Sequence, residues 1–178
     1  LVYAQSIQQF KLIKYWFKTH QIEAKLQEQI IERIKTIITM INACQSLEQL
    51  RGLEGASAKI VFYVMSLIAP AWAKFQGRNR RPPKDPINVL LSLSYSLIYA
   101  ECTRALTAHA LDPMLGFYHE PVHGRYSLAC DLTERIRCDI EKWVMQLLFN
   151  EQLRPVHFAS SEQYPCVLNK EGRAIFYP

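Results

Sequence analysis

Glu54, His119, Asp131 and Glu134 are the side chains in this sequence whose types and neighbours could do chemistry. Glu54 lies in a helix-like run one turn from Leu50 and from Ala58, so its carboxylate is set beside core-facing residues. Burying an unpaired charge costs on the order of several kcal/mol, and an arginine, a metal ion or a raised pKa would each compensate. One reading pairs Glu54 with Arg51, Lys59 or a more distant cation; the other makes it a metal ligand. Asp131 and Glu134, three apart near the start of the last long helix, share a face beside its apolar stripe. Their mutual repulsion, roughly a few tenths of a kcal/mol, is partly relieved by the helix amino-terminal dipole. A bound cation would turn that cost into affinity, and a solvated flank neutralised by Arg135 and Arg137 would equally remove it. His119 ends Gly-Phe-Tyr-His in a loop just ahead of the pair, where an imidazole could complete a set of carboxylate ligands; His109 and His123 compete for that role.

Arg78, Arg80, Arg81 and Lys84 form the densest positive run. Guanidinium groups donate in a fixed fork that suits phosphate, so the run reads as a backbone clamp or as a solvated basic loop. It lacks the interleaved aromatics of a stacking platform for single strands.

These residues must be positioned by helices. From about Ala4 to Ala43 there is no proline or glycine, and Leu26, Ile30, Ile34, Ile37 and Ile41 recur at spacings of three and four, which predicts amphipathic helix broken near His20. Ser46 with Gln49 reads as a capping box opening a second helix, whose apolar positions Leu50, Leu53, Ile60, Val64 and Leu67 run toward Pro70. The Gly- and Pro-rich basic segment from Phe75 to Pro86 is an exposed connector, and Asp85 followed by Pro86 caps the next helix. From Ile87 to Leu111 apolar residues point almost all round, which predicts a central helix surrounded by others. Ser127 is the expected cap of a last helix with Leu128, Leu132, Ile136, Ile140, Trp143 or Val144, and Leu147 on one face. The tail reads as a small hairpin around Glu171-Gly172.

The chain of 178 residues is 49% hydrophobic, enough for one compact helical domain over residues 1–178. A formal charge of +5 favours a polyanionic partner. Five cysteines without Cys-x-x-Cys spacing predict reduced thiols, neither a disulfide framework nor a zinc clip. Ile60 to Ala69 is too short to span a bilayer, and Ile87 to Leu111 contains Glu101, Arg104 and His109, so a soluble domain without membrane contact is expected. Leu1 is not a methionine and no signal peptide follows it, which is what a piece of something longer would show.

Four ordered blocks, LRGLEGASA, GRNRRPPKDPINVLLSLSY, GFYHEP and SLACDLTERIR, resemble the signature of the CRISPR adaptation integrase and endonuclease, the Cas-one family. The likeness runs from about Ala4 onward and is most specific between Leu50 and Arg137. It implies the family's all-α, multi-helix catalytic domain with a small C-terminal β-hairpin. It further implies that Glu54, His119 and an acid of the Asp131/Glu134 pair, Glu134 ahead of Asp131, are catalytic residues holding Mg²⁺ or Mn²⁺. Arg78, Arg80, Arg81, Lys84 and Arg137 would contact DNA, whereas Asn88 and Tyr95 match the pattern in structural roles. The implied activity joins 3′-hydroxyl ends of captured spacer DNA to a CRISPR repeat and nicks branched DNA in a prokaryotic cytoplasm. The implied partners are a second copy of the chain, the small second-numbered Cas protein and, by fusion, a reverse transcriptase or another Cas domain. No strand-like segment stands before the first helix, so the family's N-terminal β domain is expected ahead of Leu1, disordered, or replaced within a fusion. A competing reading keeps the fold without turnover, as a DNA-binding scaffold or assembly module.

Overall fold

The computed structural model describes residues 1–177 as six helices and one two-stranded sheet. In chain order these are α1 (Val2–Thr19), α2 (Ala24–Ala43), α3 (Leu47–Ile68), α4 (Pro86–Ala108), α5 (Ser127–Phe149), β1 (Phe158–Ala159), β2 (Val167–Leu168) and α6 (Lys170–Phe176). The break between α1 and α2 falls where expected, at an extended His20 whose N–H still bonds the Trp16 carbonyl. Ile30, Ile34, Ile37 and Ile41 are the buried stripe of α2. Asp85 caps α4 by accepting from the Asn88 N–H at 2.9 Å, with Pro86 leading the helix. Ser46 caps α3 through the Gln49 N–H at 3.2 Å, but the Gln49 side chain faces Cys44 rather than returning to the cap, so the box is half formed.

Helix α1 packs on α2, α3 and α5, and its Ile13 and Trp16 are fully buried. Burying side chains of this size is worth about 1.5–3 kcal/mol each, so α1 is the hub on which the others settle. This corrects the expectation of a surrounded α4. Its first turns, from Ile87 to Leu91, are buried at every position, whereas beyond them only Ser94, Cys102 and Leu106 are. Further on, Leu97, Glu101, Arg104 and His109 are exposed, because charges distributed along that half need water. Helix α5 packs extensively on α4; Ile140, Val144 and Leu147 are buried as expected, but in its first half the buried face is rotated, with Ala129, Asp131 and Cys138 inward while Leu132 and Ile136 are partly exposed. That rotation turns Asp131 toward the loop ahead of the helix. Ser127 does not cap α5; its hydroxyl instead bonds the Glu120 carbonyl at 2.9 Å and ties down that loop.

The C-terminal hairpin exists but lies earlier than expected, with Phe158 paired to Leu168 and Ala159 to Val167. Glu171 and Gly172 are helical because the Asn169 side chain accepts from the Gly172 N–H and starts α6. A Cβ on Gly172 would collide with the His157 carbonyl. All five cysteines are free, with Cys102, Cys138 and Cys166 buried. No helix among the described residues is long and apolar enough to cross a membrane.

Candidate active site

The Gly-Phe-Tyr-His loop wraps the start of α5 around one carboxylate. Oδ2 of Asp131 accepts the N–H groups of Phe117 and Tyr118 at 2.6 and 3.0 Å, and Oδ1 accepts that of His119 at 3.1 Å. Burial works against this charge, but those N–H groups and the His119 ring more than offset it and hold the Asp131 carboxyl below its ordinary value. Gly116 allows the wrap, since a Cβ there would stand 2.8 Å from the Ser127 backbone and side chain.

The His119 ring places Nδ1 2.7 Å from Asp131 Oδ1. Against an ionised acceptor Nδ1 carries the proton, which leaves Nε2 as the ring nitrogen that could meet a ligand. Its side chain is 26% exposed, enough to meet a ligand. Asp131, only 5% exposed, has both oxygens engaged by four donors in this arrangement and orients the His119 ring.

Across the loop, Glu54 on α3 accepts the Tyr118 hydroxyl on Oε2 at 2.6 Å. Burial, then the hydrogen bond and charge of Glu54, push the Tyr118 phenol far above its ordinary value, so it keeps its proton and donates it. Arg51 is not the partner of Glu54. It reaches the Tyr118 carbonyl at 3.5 Å and the exposed Glu120 at 3.2 Å. Oε1 of Glu54 makes no hydrogen bond among the described residues.

Glu134 is held differently. Both its oxygens accept from Nη1 of Arg137, at 2.7 and 2.9 Å, and Oε2 also accepts from Gln5 on α1 at 2.5 Å. Both members of the ion pair are 12% exposed. The Arg137 guanidinium covers the Tyr95 ring at 5.0 Å, and its Nε stands 3.5 Å from Glu141, a residue 1% exposed whose Oε1 accepts the Tyr95 hydroxyl at 2.9 Å. Burial pushes the Glu141 carboxyl up to about 7 against the pull of Arg137 and Tyr95. In this arrangement the Arg137 charge faces internal carboxylates.

Tyr118 bonds Glu54 and sets its ring edge-on to the His119 imidazole at 5.2 Å, and the charge of Glu134 reaches its phenol. No three His, Cys, Asp or Glu side chains among the described residues are gathered closely enough in this arrangement to enclose an ion. The donor set nevertheless suits a divalent cation. The imidazole held by Asp131 keeps Nε2 for a ligand and Glu54 keeps Oε1, while the Glu134 oxygens are taken by Arg137 and Gln5.

The basic connector divides in two. Arg80, Arg81 and Lys84 are exposed as expected. Arg78 is half-buried: Nη1 bonds Asn88 Oδ1 at 2.8 Å, Nη2 bonds Ser92 at 3.1 Å, and the guanidinium lies 5.6 Å from the Tyr95 ring centre. Burial lowers its pKa to about 10. In this arrangement it fastens the loop to α4. Asn88, fully buried, organises the rest by bonding the Asn79 N–H, the Gly77 carbonyl and Asp85.

Sequence reasoning passed over Gln5, Tyr118 and Glu141. The signal for Gln5 was available, since Gln5, Gln9, Ile13 and Trp16 recur at helical spacing and place two amides on a buried face. Glu141 likewise stands between Cys138 and Val144 on the buried face of α5.

Known proteins share this fold. The chain is 44% identical over 134 residues to the CRISPR-associated endonuclease Cas1 1 of Thermodesulfovibrio yellowstonii, covering 75% of this chain and 42% of that protein. Its fold matches a chain of a Cas6-RT-Cas1–Cas2 complex with a TM-score of 0.82 at 28% identity, over 98% of this chain and 20% of the other. It also matches a casposase bound to integration product, with a TM-score of 0.78 at 25% identity, over 98% of this chain and 47% of that one. The chain therefore spans less than half of these relatives. The family described as CRISPR associated protein Cas1 matches residues 1–178 throughout, and the chain belongs to that family.

Proposed function

We propose that this chain is the catalytic part of a divalent-metal-dependent DNA integrase and endonuclease of CRISPR adaptation. The observation that carries this reading is the 2.7 Å Asp131–His119 pair, which leaves the imidazole Nε2 for a ligand on a loop whose Tyr118 bonds Glu54. His119 Nε2, Glu54 Oε1 and a Glu134 oxygen would hold Mg²⁺ or Mn²⁺. Such an ion, when bound, polarises a phosphodiester and lowers the pKa of a hydroxyl beside it.

The protein's own groups do the rest. Asp131 fixes the tautomer and direction of His119, and Tyr118 keeps Glu54 turned to the loop. Arg80, Arg81 and Lys84 grip the DNA backbone and orient it. The reaction is in-line transesterification, in which a 3′-hydroxyl of captured DNA forms one P–O bond as a repeat P–O bond breaks. Names among the relatives, an endonuclease, an assembly containing Cas2 and a fused reverse transcriptase, and a casposase on its integration product, support this reading. On the same grounds we assign a second copy of the chain and the Cas2 protein as working partners in a prokaryotic cytoplasm, with fusion to a reverse transcriptase or another Cas domain as one form of assembly.

The test is strand transfer of a 3′-hydroxyl duplex into a repeat substrate in Mn²⁺ and in Mg²⁺. Glu54→Ala and His119→Ala are each expected to abolish product, and undiminished transfer by either overturns the site. The closed Glu134–Arg137 pair favours a second reading, a scaffold that holds DNA without turnover. A scaffold binds duplex DNA with strong salt dependence yet gains no Mn²⁺-dependent thermal stability that Glu54→Ala removes.

A further inference from the structure

Arg137 is shared by two carboxylates on unequal terms. Its Nη1 bonds both oxygens of Glu134, while its Nε stands 3.5 Å from Glu141 Oε1 and is buried without a hydrogen-bond partner. Oε2 of Glu141 is also buried and unpartnered. An unmet cationic donor and an unmet acid oxygen, one helical turn apart on α5, each carry a desolvation cost that a small movement would remove.

We propose that Glu141 is a positioning residue, a reserve counterion that takes over the Arg137 guanidinium when Glu134 turns to a divalent cation. The path is short, because the guanidinium already lies on the Tyr95 ring and Tyr95 donates to Oε1 of Glu141, leaving Oε2 for Arg137. The exchange also removes a positive charge from the ion's surroundings, where it would oppose binding. Without Glu141, Arg137 has one acid to pair with and keeps Glu134 closed. This inference rests on the metal reading of Glu54, His119 and Glu134.

The experiment is direct titration of the protein with Mn²⁺, following free Mn²⁺ by electron paramagnetic resonance, with circular dichroism to check folding. Glu141→Gln keeps the shape and the acceptor for Tyr95 but removes the reserve charge, and a loss of Mn²⁺ affinity of about tenfold or more is expected. In the double variant Arg137→Gln/Glu141→Gln no cation competes for Glu134, which keeps only the neutral Gln5 amide, and affinity is expected at or above the wild-type level. A merely structural role for Glu141 would leave the double variant as weak as the single one, which overturns the proposal. The double variant also serves as the test if Glu141→Gln alone does not fold. Unchanged affinity in Glu141→Gln, with binding lost in Glu54→Gln, overturns the proposal and leaves the metal site standing. If the wild type takes up no Mn²⁺, or Glu54→Gln is indifferent, both fall.

Discussion

Nδ1 of His119 and Oδ1 of Asp131 stand 2.7 Å apart, and the same carboxylate receives three consecutive backbone N–H groups of the loop that carries the histidine. One acid thus sets both the path of the loop and the tautomer of its imidazole. Asp131→Asn keeps the shape but offers one acceptor oxygen in place of two and no charge. Its expected effects are a stability loss of about 1–3 kcal/mol by urea melting and a tenfold to hundredfold loss of Mn²⁺ affinity. Imidazole ¹⁵N shifts should show His119 no longer confined to the Nδ1–H tautomer; an unchanged spectrum would remove Asp131 from the role given to it.

Tyr118 links the loop to α3 through one hydrogen bond to Glu54. Tyr118→Phe preserves the buried ring and deletes only that donor. Stability should fall by about 0.5–1.5 kcal/mol, the usual net worth of such a bond. Strand-transfer kcat should fall while duplex affinity stays constant, since the DNA grip is assigned elsewhere. A variant with wild-type kcat would mean that Glu54 is positioned by its helix alone.

The helices are legible because apolar spacing is local: Ile30, Ile34, Ile37 and Ile41 announce a face without reference to any other element. Asp85 with Pro86, and Ser46, likewise act within a single turn. The site is legible in its residue types but not in its pairings. Arg137 could pair with Glu134, with Glu141 or with a phosphate, and only the docking of α5 on α1 and α4 decides which, because that docking sets what is buried. The same cause explains Arg78, which is indistinguishable from Arg80 in sequence but is drawn inward by Asn88, Ser92 and Tyr95. The tail misleads because Glu171-Gly172 resembles a turn, whereas Asn169 caps a helix through it.

Arg80, Arg81 and Lys84 can be told apart from Arg78 by salt. Replacing the three exposed cations with glutamine should weaken duplex binding, and should reduce the slope of log affinity against log salt by about 0.9 for each phosphate that is no longer neutralised. Arg78→Gln should instead lower the melting temperature, because it unties the connector from α4. An indifferent triple variant would place the DNA path on another face.

Glu141 gives the fold a pH dependence of unusual sign for a carboxylate. Burial raises its folded pKa to about 7, above the ordinary value of 4.5. Between these values the folded state holds a proton that the unfolded chain has released, so this group favours folding at low pH. The contribution is fully present below the unfolded value and is lost as pH rises toward and through 7, amounting to at most about 3 kcal/mol. Asp131, with its folded pKa lowered, works the opposite way, and its contribution is lost only in stronger acid. Urea melts of wild type and Glu141→Gln between pH 5 and 8 separate the two, because the substitution abolishes only the first. The stability of the variant relative to wild type should climb across that window, and parallel curves would show that Glu141 is already ionised at pH 5 in the folded protein.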